Sequence, residues 1–149
     1  SYNNRRKGFN VATRRGCLWF PYSKLEVRPV ANDPIAGVSV DKDLGGEGFT
    51  YTMESGREGT VHIEQVLDYN KDPVYLRDMV LYRLTIEASR RIEKSPLSMR
   101  EISRRLKTSP AQLYRLLDQT NYNKSVDQML SLLAVLDCEV DLVVRKKSA

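Results

Sequence analysis

The stretch that decides the fold is residues 98–117, which read SMREISRRLKTSPAQLYRLL. Ser98 stands before an apolar-periodic run, and Glu101 follows it three residues later. This spacing is typical of a capping box, in which the serine caps a helix and the glutamate reaches back to the free amide. The pattern therefore predicts a short helix over residues 100–106 that buries its apolar face.

A second helix is predicted after only two residues. Lys107 and Thr108 form a tight turn, and Ser109 with Pro110 then gives a start signal, because serine caps helices and proline suits the first helical position. The helix continues through residues 111–117 with leucines on its buried face. Three of its side chains are expected on the opposite, outward face: Ala111, Gln112 and Arg115.

The spacing of these two helices resembles the helix-turn-helix of the lambda-repressor/Cro-like (XRE-type) superfamily. The resemblance covers about residues 76–137, and its central stretch is residues 99–117. Ser103 stands where a small residue is needed between the crossing helices. Lys107 stands where the family usually has a left-handed glycine, a conformation that costs lysine about 1 kcal/mol. The resemblance implies a regulator that binds operator DNA.

The resemblance also implies a role for the residues around the second helix. That helix would lie in the major groove, where Gln112 would pair with adenine and Arg115 would read guanine or hold a phosphate. Lys107 and Ser109 would contact phosphate near the helix N-terminus. Residues 90–115 contain eight basic and two acidic residues, which suits phosphate binding. The implied DNA-binding residues are Arg100, Arg104, Arg105, Lys107, Thr108, Ser109, Ala111, Gln112, Tyr114 and Arg115.

Helices are also predicted on both sides of this motif. Asp72 and Pro73 start an amphipathic helix of about twenty residues, which ends at Ser95-Pro96. Ser125 caps a fourth helix over residues 126–136. The C-terminal half is therefore expected to be a four-helix bundle.

Residues 137–144, DCEVDLVV, alternate acidic and apolar side chains, which is typical of a strand. An isolated strand is not stable in water, so it must pair with the N-terminal sheet or with the same strand of another copy. Pairing between copies would give a homodimer, which suits the two half-sites of an operator. Similar C-terminal strands occur in antitoxin-type regulators of the superfamily, which implies a toxin-like protein as a further partner.

Residues 17–73 show the pattern of a small β unit, since Gly- and Pro-rich turns separate alternating stretches. We expect an antiparallel sheet of three or four strands. Residues 35–40, IAGVSV, and 49–63, FTYTMESGREGTVHI, resemble a family of small bacterial β-rich domains of unknown function, which implies no activity. Three aromatic residues are expected to close the core of the sheet: Trp19, Phe20 and Tyr22.

The charges of the chain are segregated. There are 24 Lys and Arg against 19 Asp and Glu, a net charge of +5. Residues 1–30 carry a net +6, residues 31–73 a net −6 and residues 74–149 a net +5. Residues 1–16 contain no acid, so we expect a flexible arm that either follows a phosphate backbone or is a solvated tail.

One His and two Cys limit the chemistry available to the chain. Cys17 and Cys138 are far apart without CxxC spacing, which argues against a disulfide or zinc site and indicates a reducing cytoplasm. An enzyme would have to use His62 with Glu64 or Asp68, and no nucleophile stands at a supporting spacing. We therefore expect no enzyme, no cofactor and no metal.

No 18-residue apolar window and no leader pattern occurs, so a cytoplasmic protein without a membrane span is expected.

These patterns predict an α+β protein in three parts: a flexible basic arm over residues 1–16, a small β-rich domain over 17–73, and a helix-turn-helix domain over 74–149 that ends in a strand. The predicted function is a sequence-specific transcriptional regulator that binds double-stranded DNA as a dimer, of antitoxin type. The alternative is a protein-interaction adaptor whose acidic β unit binds a basic, toxin-like partner while the helices act as scaffold.

Overall fold

The computed structural model describes residues 1–146 and confirms the predicted α+β class. The described residues form two three-stranded antiparallel sheets and five α-helices. They divide into two compact units, an N-terminal one over Ser1–Leu76 and a C-terminal one that begins at Arg77. The last three residues of the predicted domain over 74–149 lie outside the described residues.

The first sheet overturns the prediction of a flexible arm. It consists of β1 (Tyr2–Asn3), β2 (Gly8–Thr13) and β3 (Gly16–Pro21), in the order β1-β2-β3. Residues 1–16 thus lie mostly in strands, because β2 pairs with β3 and buries Phe9 in the core. The lack of acidic residues in this segment is therefore not a sign of disorder.

The second sheet and the helix after it complete the N-terminal unit. The sheet consists of β4 (Ile35–Val40), β5 (Gly48–Met53) and β6 (Glu58–His62), in the order β4-β5-β6. Helix α1 (Ile63–Asn70) follows directly after β6. The prediction of one sheet is wrong, because the segment with the aromatic residues pairs with the supposed arm and not with β4 to β6.

Aromatic rings fill the core of the N-terminal unit. The Phe9 ring centroid lies 5.0 Å from that of Tyr22, 4.9 Å from Phe49 and 5.6 Å from Tyr51. Phe20 and Tyr22 are buried as predicted, whereas Trp19 is only half-buried. Gly8 is required beside Trp19, because a Cβ there would lie 2.2 Å from the indole ring.

The remaining helices agree with the predicted positions to within a few residues. They are α2 (Pro73–Lys94), α3 (Met99–Arg105), α4 (Pro110–Leu117) and α5 (Val126–Val135). None of the described helices is both long and apolar enough to span a membrane. Their buried side chains form a second, mainly aliphatic core that consists of Leu81, Ala88, Ile102, Leu113, Leu116, Met129, Leu132 and Leu133.

The predicted C-terminal strand is absent from the described residues. The chain leaves α5 through Asp137, at a φ of 57°, and residues 138–146 have no regular secondary structure. Leu142 and Val144 are more than four-fifths exposed. A strand needs a partner for its backbone groups, and alternation of side chains alone does not supply one.

Candidate nucleic-acid interface

The N-termini of α3 and α4 are each closed by a serine, as the sequence predicts. Ser98 Oγ accepts from the Glu101 N–H at 3.2 Å, and Ser109 Oγ accepts from the Gln112 N–H at 3.1 Å. Pro110 occupies the first turn of α4, where its missing N–H costs nothing. The two caps fix where each helix begins and therefore which side chains α4 exposes.

The turn between the two helices contains a residue in the left-handed conformation. Lys107 has a φ of 57°, the left-handed conformation that normally favours glycine. The Thr108 N–H donates to the Ser103 carbonyl at 3.0 Å, which closes the end of α3. Ser103 itself is 2% exposed, and its Oγ donates to the Met99 carbonyl at 2.8 Å. A small residue there allows close packing of α3, as predicted.

The predicted contact residues are accessible. Thr108 and Gln112 are half-buried, and the phenol of Tyr114 is 61% exposed. Arg115 is exposed and has no carboxylate at ion-pair distance among the described residues. The remaining predicted contact residues are all exposed: Arg100, Arg104, Arg105, Lys107, Ser109 and Ala111.

Two of these cations are already paired, which the sequence did not predict. Arg104 Nε donates to Glu101 Oε2 at 3.0 Å, and Arg105 Nε donates to Glu101 Oε1 at 3.1 Å. The hydrogen bond from Arg104 lowers the pKa of Glu101 to about 2, so this carboxyl is ionised at neutral pH. The predicted capping box at α3 is therefore only half formed, because the Glu101 carboxylate binds these guanidinium groups. The three side chains together carry one net positive charge, not two.

Lys124 is a structural residue that the sequence analysis missed. It is 3% exposed, and its Nζ donates to the carbonyls of Leu116 and Asp118 at 2.8 Å each. The last carbonyls of a helix have no partner within it, so the ammonium group caps the C-terminal end of α4. The sequence carries no signal for this role, because the two carbonyls that Lys124 binds lie six and eight residues before it in a loop and a helix end.

The loop between α4 and α5 is ordered by its own side chains. Asp118 Oδ1 accepts from both the N–H and the Oγ of Thr120, at 2.9 and 2.7 Å. Asn121 Nδ2 donates to the Arg115 carbonyl at 3.1 Å, and Arg77 Nη2 donates to the Tyr122 carbonyl at 2.8 Å. The Asn121 bond holds the loop against α4, and the Arg77 bond holds it against α2.

The loop and α4 enclose a polar groove of about 520 Å³. Gln112 and Arg115, the two predicted base readers, line the same groove as Asn121 and Asn123. The structure thus brings the predicted readers together with amide side chains that the sequence analysis did not select. The three arginines of the predicted set on α3 do not line this groove.

His62 has a structural role in the N-terminal unit. It caps α1, since its Nδ1 accepts from the Glu64 N–H at 3.4 Å, and its Nε2 lies 4.0 Å from Glu47 Oε2. His62 is also the last residue of β6, and its contact with Glu64 is to the backbone N–H and not to the carboxylate. Among residues 1–146, no group of three or more His, Cys, Asp or Glu side chains is arranged to hold a metal ion.

The basic and acidic segments of the N-terminal half fold together in one unit, so the described residues contain no separate acidic β unit. Ser1–Leu76 contains ten Lys and Arg and ten Asp and Glu, so its net charge is zero.

No family model matches the chain, and neither the curated proteins nor the solved structures include one that is significantly similar.

Proposed function

We propose that the protein binds double-stranded DNA in a sequence-specific manner and acts as a transcriptional regulator. The observation that carries the proposal is the arrangement of α3 and α4: two serine-capped helices joined by a left-handed Lys107, with Gln112 and Arg115 accessible on the second. In a helix-turn-helix, this second helix enters the major groove and its N-terminal residues meet base edges.

The charges of the C-terminal unit support the same proposal. Arg100, Lys107 and Arg115 are exposed and have no carboxylate partner among the described residues. Unpaired cations of this kind are free to neutralise phosphates, which is the main source of affinity for DNA. The Gln112 amide supplies the donor and acceptor pair that a bidentate contact with adenine requires.

A dimer on a two-fold operator remains part of the proposal. Its basis is now the symmetry of helix-turn-helix operators, because the strand that was expected to join two copies is absent from the described residues. The antitoxin role is proposed on the resemblance alone and would require a basic partner protein.

The test is selection of bound duplexes from a random DNA pool, followed by affinity measurements on the selected site. Gln112→Ala and Arg115→Ala are each expected to weaken binding to that site by about 1–3 kcal/mol and to relax its specificity. Arg83→Ala is the control and should change affinity far less, because it removes an exposed cation of α2 that has no ion-pair partner among residues 1–146. If the pool yields no preferred site, or if a variant that carries both substitutions binds like wild type, the proposal is wrong.

A further inference from the structure

A basic groove in the N-terminal unit lies outside the proposed DNA interface. It has a volume of about 680 Å³ and lies between the turn at residues 4–7 and the segment at residues 28–34. Arg6, Lys7 and Arg28 line it, and none of its lining residues is acidic. Its size falls in the range of about 300–1,000 Å³ that is usual for small-molecule sites.

The three cations of this groove are uncompensated, although the unit as a whole has no net charge. Two other arginines of the unit are paired, Arg15 with Asp72 and Arg57 with Asp33. Within residues 1–146, no carboxylate lies at ion-pair distance from any of the three groove cations. The groove therefore concentrates positive charge that the rest of the unit balances elsewhere.

The guanidinium groups keep donors available. The Arg6 guanidinium carbon lies 4.8 Å from the centre of the Trp19 ring, a cation–π contact that leaves its N–H groups without a carboxylate. Arg28 Nε donates to the Leu25 carbonyl at 3.3 Å, while its two terminal nitrogens make no hydrogen bond within the described chain. Two such groups offer the fork of donors that phosphate oxygens accept.

One wall of the groove is held by partly buried polar contacts. The Tyr22 hydroxyl donates to Asn4 Oδ1 at 2.9 Å, and Asn4 Nδ2 donates to the Ile35 carbonyl at 2.8 Å. The Tyr22 N–H donates to the Lys7 carbonyl at 2.9 Å. Burial raises the pKa of Tyr22 to about 12, so its hydroxyl stays a neutral donor.

The opposite wall is held by Asp33, which is 8% exposed. Asp33 Oδ1 accepts from the Ser55 N–H at 2.8 Å, and Oδ2 accepts from Arg57 Nη2 at 2.8 Å. The backbones of Val30 and Asp33 exchange hydrogen bonds of 3.3 and 3.0 Å, and the Pro34 carbonyl accepts from Glu54 at 3.1 Å. Both walls are therefore in place before a ligand arrives, which lowers the entropic cost of binding.

The rest of the lining is mainly apolar and includes Pro21, Pro29, Val30 and Pro34. A fitting ligand must combine concentrated negative charge with an apolar body. We propose that this groove binds a phosphate monoester carried on a ring or other largely apolar group. A phosphate monoester carries nearly two negative charges at neutral pH and can accept from both guanidinium groups at once.

The first arm of the test uses the full chain and four probes: phenyl phosphate, adenosine monophosphate, inorganic phosphate and adenosine. Calorimetry gives the affinities, and Trp19 fluorescence reports on the groove because Arg6 stacks on that ring. We expect at least one ester to bind about tenfold more tightly than inorganic phosphate, and adenosine not to bind. If neither ester binds at about 1 mM, or if inorganic phosphate binds equally well, the proposal is overturned without any variant being needed.

The second arm compares two triple variants with the same loss of charge. The groove variant is Arg6→Gln, Lys7→Asn and Arg28→Gln, in which asparagine suits the φ of 54° at position 7. We expect it to bind the ester at least about tenfold more weakly. The control carries three exposed cations of the same unit that do not line the groove, replaced as Arg14→Gln, Lys24→Gln and Lys42→Gln.

The control should stay within about twofold of wild type, because exposed charges that do not line the groove are screened by salt. Equal losses in both variants would mean general attraction and would overturn the site. A third outcome is that the protein binds no ester and the groove variant loses affinity for duplex DNA. This result would assign the groove to nucleic acid and would also overturn the proposed phosphate-monoester site. Thermal unfolding of both variants checks that they are folded.

Discussion

Each unit fastens a loop with one buried ionisable side chain, and the two units do so in opposite ways. In the N-terminal unit Asp33 accepts from Ser55 and from Arg57. In the C-terminal unit Lys124 donates to two backbone carbonyls. The acid therefore has a cation as a partner, whereas the lysine binds only neutral dipoles at the end of a helix.

The two pKa values show what this difference means. Hydrogen bonds from Ser55 and Arg57 lower the pKa of Asp33, so the fold favours its charged form. Burial lowers the pKa of Lys124, with the Asp118 charge opposing, so the fold disfavours its charged form. Asp33 stabilises its loop through its charge, whereas Lys124 does so through its donors.

The largest expected effect comes from replacing the lysine by an acceptor. Lys124→Glu would bury a carboxylate against the carbonyls of Leu116 and Asp118, with no donor for any of them. We expect the free energy of unfolding to fall by about 3–5 kcal/mol, the usual cost of an uncompensated buried charge. Denaturant unfolding followed by the helical circular dichroism signal measures this loss.

The control for this variant is Lys94→Glu, the same change at an exposed position of α2. It should cost no more than about 1 kcal/mol, since surface charges near a helix end contribute little. Equal losses at the two positions would show that the buried contacts of Lys124 do not stabilise the fold, and the contrast with Asp33 would disappear.

Asp33→Asn should have a smaller effect, and its size should depend on pH. The substitution keeps the shape and one acceptor but removes the charge that binds Arg57, whose side chain is half exposed and can rehydrate. Because the folded pKa of Asp33 lies below its ordinary value of 3.8, the charged form stabilises the fold above that pH. This contribution is lost as the pH falls through the folded pKa.

Wild type should therefore be more stable than Asp33→Asn at pH 7, and the gap should close as the pH falls below about 4. Trp19 fluorescence measures unfolding of this unit, because Trp19 is the single tryptophan of the chain. Asp43→Asn, at an exposed position, serves as the control and should leave the pH dependence close to that of wild type. A gap that stays constant from pH 7 to pH 3 would contradict the role of the Asp33 charge.

The C-terminal unit could largely be predicted from sequence because its signals are local. Ser98, Ser109 and Ser125 each cap a helix that begins at the next residue. Apolar residues at helical spacing then give the buried face, as for Leu113 and Leu116. Such features depend on residues three or four positions apart, so a single sequence contains them.

The remaining features depend on backbone pairing between strands or on side chains that are far apart in the sequence. The strand over Gly8–Thr13 forms because β3 pairs with it, and the predicted strand after α5 fails because no such partner is present among the described residues. The groove cations Arg6 and Arg28 are 22 positions apart, and only the fold brings them to one groove. No periodicity in the sequence predicts which strands pair or which cations line the groove.

Glu101 was misplaced for a related reason. Two arrangements compete for its carboxylate, which can bind either the free amide at Ser98 or the guanidinium groups of Arg104 and Arg105. All of these groups lie within about one helical turn. The sequence spacing allows both, and the structure has the ion pairs. Unlike Asp33, Glu101 makes these pairs on the surface, where water competes and the stabilisation is small.

The smallest expected effect therefore concerns function and not stability. Glu101→Gln should leave the unfolding midpoint nearly unchanged and free the two arginines for phosphate contacts. We expect affinity for duplex DNA to rise a few-fold and its dependence on salt to become steeper, because more counterions are released when more phosphates are neutralised. Titrations at several salt concentrations give both quantities.

Glu93→Gln makes the same change of charge at an exposed acid of α2 that has no ion-pair partner among the described residues. If it raises affinity as much as Glu101→Gln does, only net charge matters, and the pairing of Glu101 does not control Arg104 and Arg105. A larger gain at Glu101 alone would locate the phosphate contacts on α3, next to the predicted recognition helix. Weaker binding by Glu101→Gln would instead mean that the ion pairs hold the arginines in the position that DNA requires.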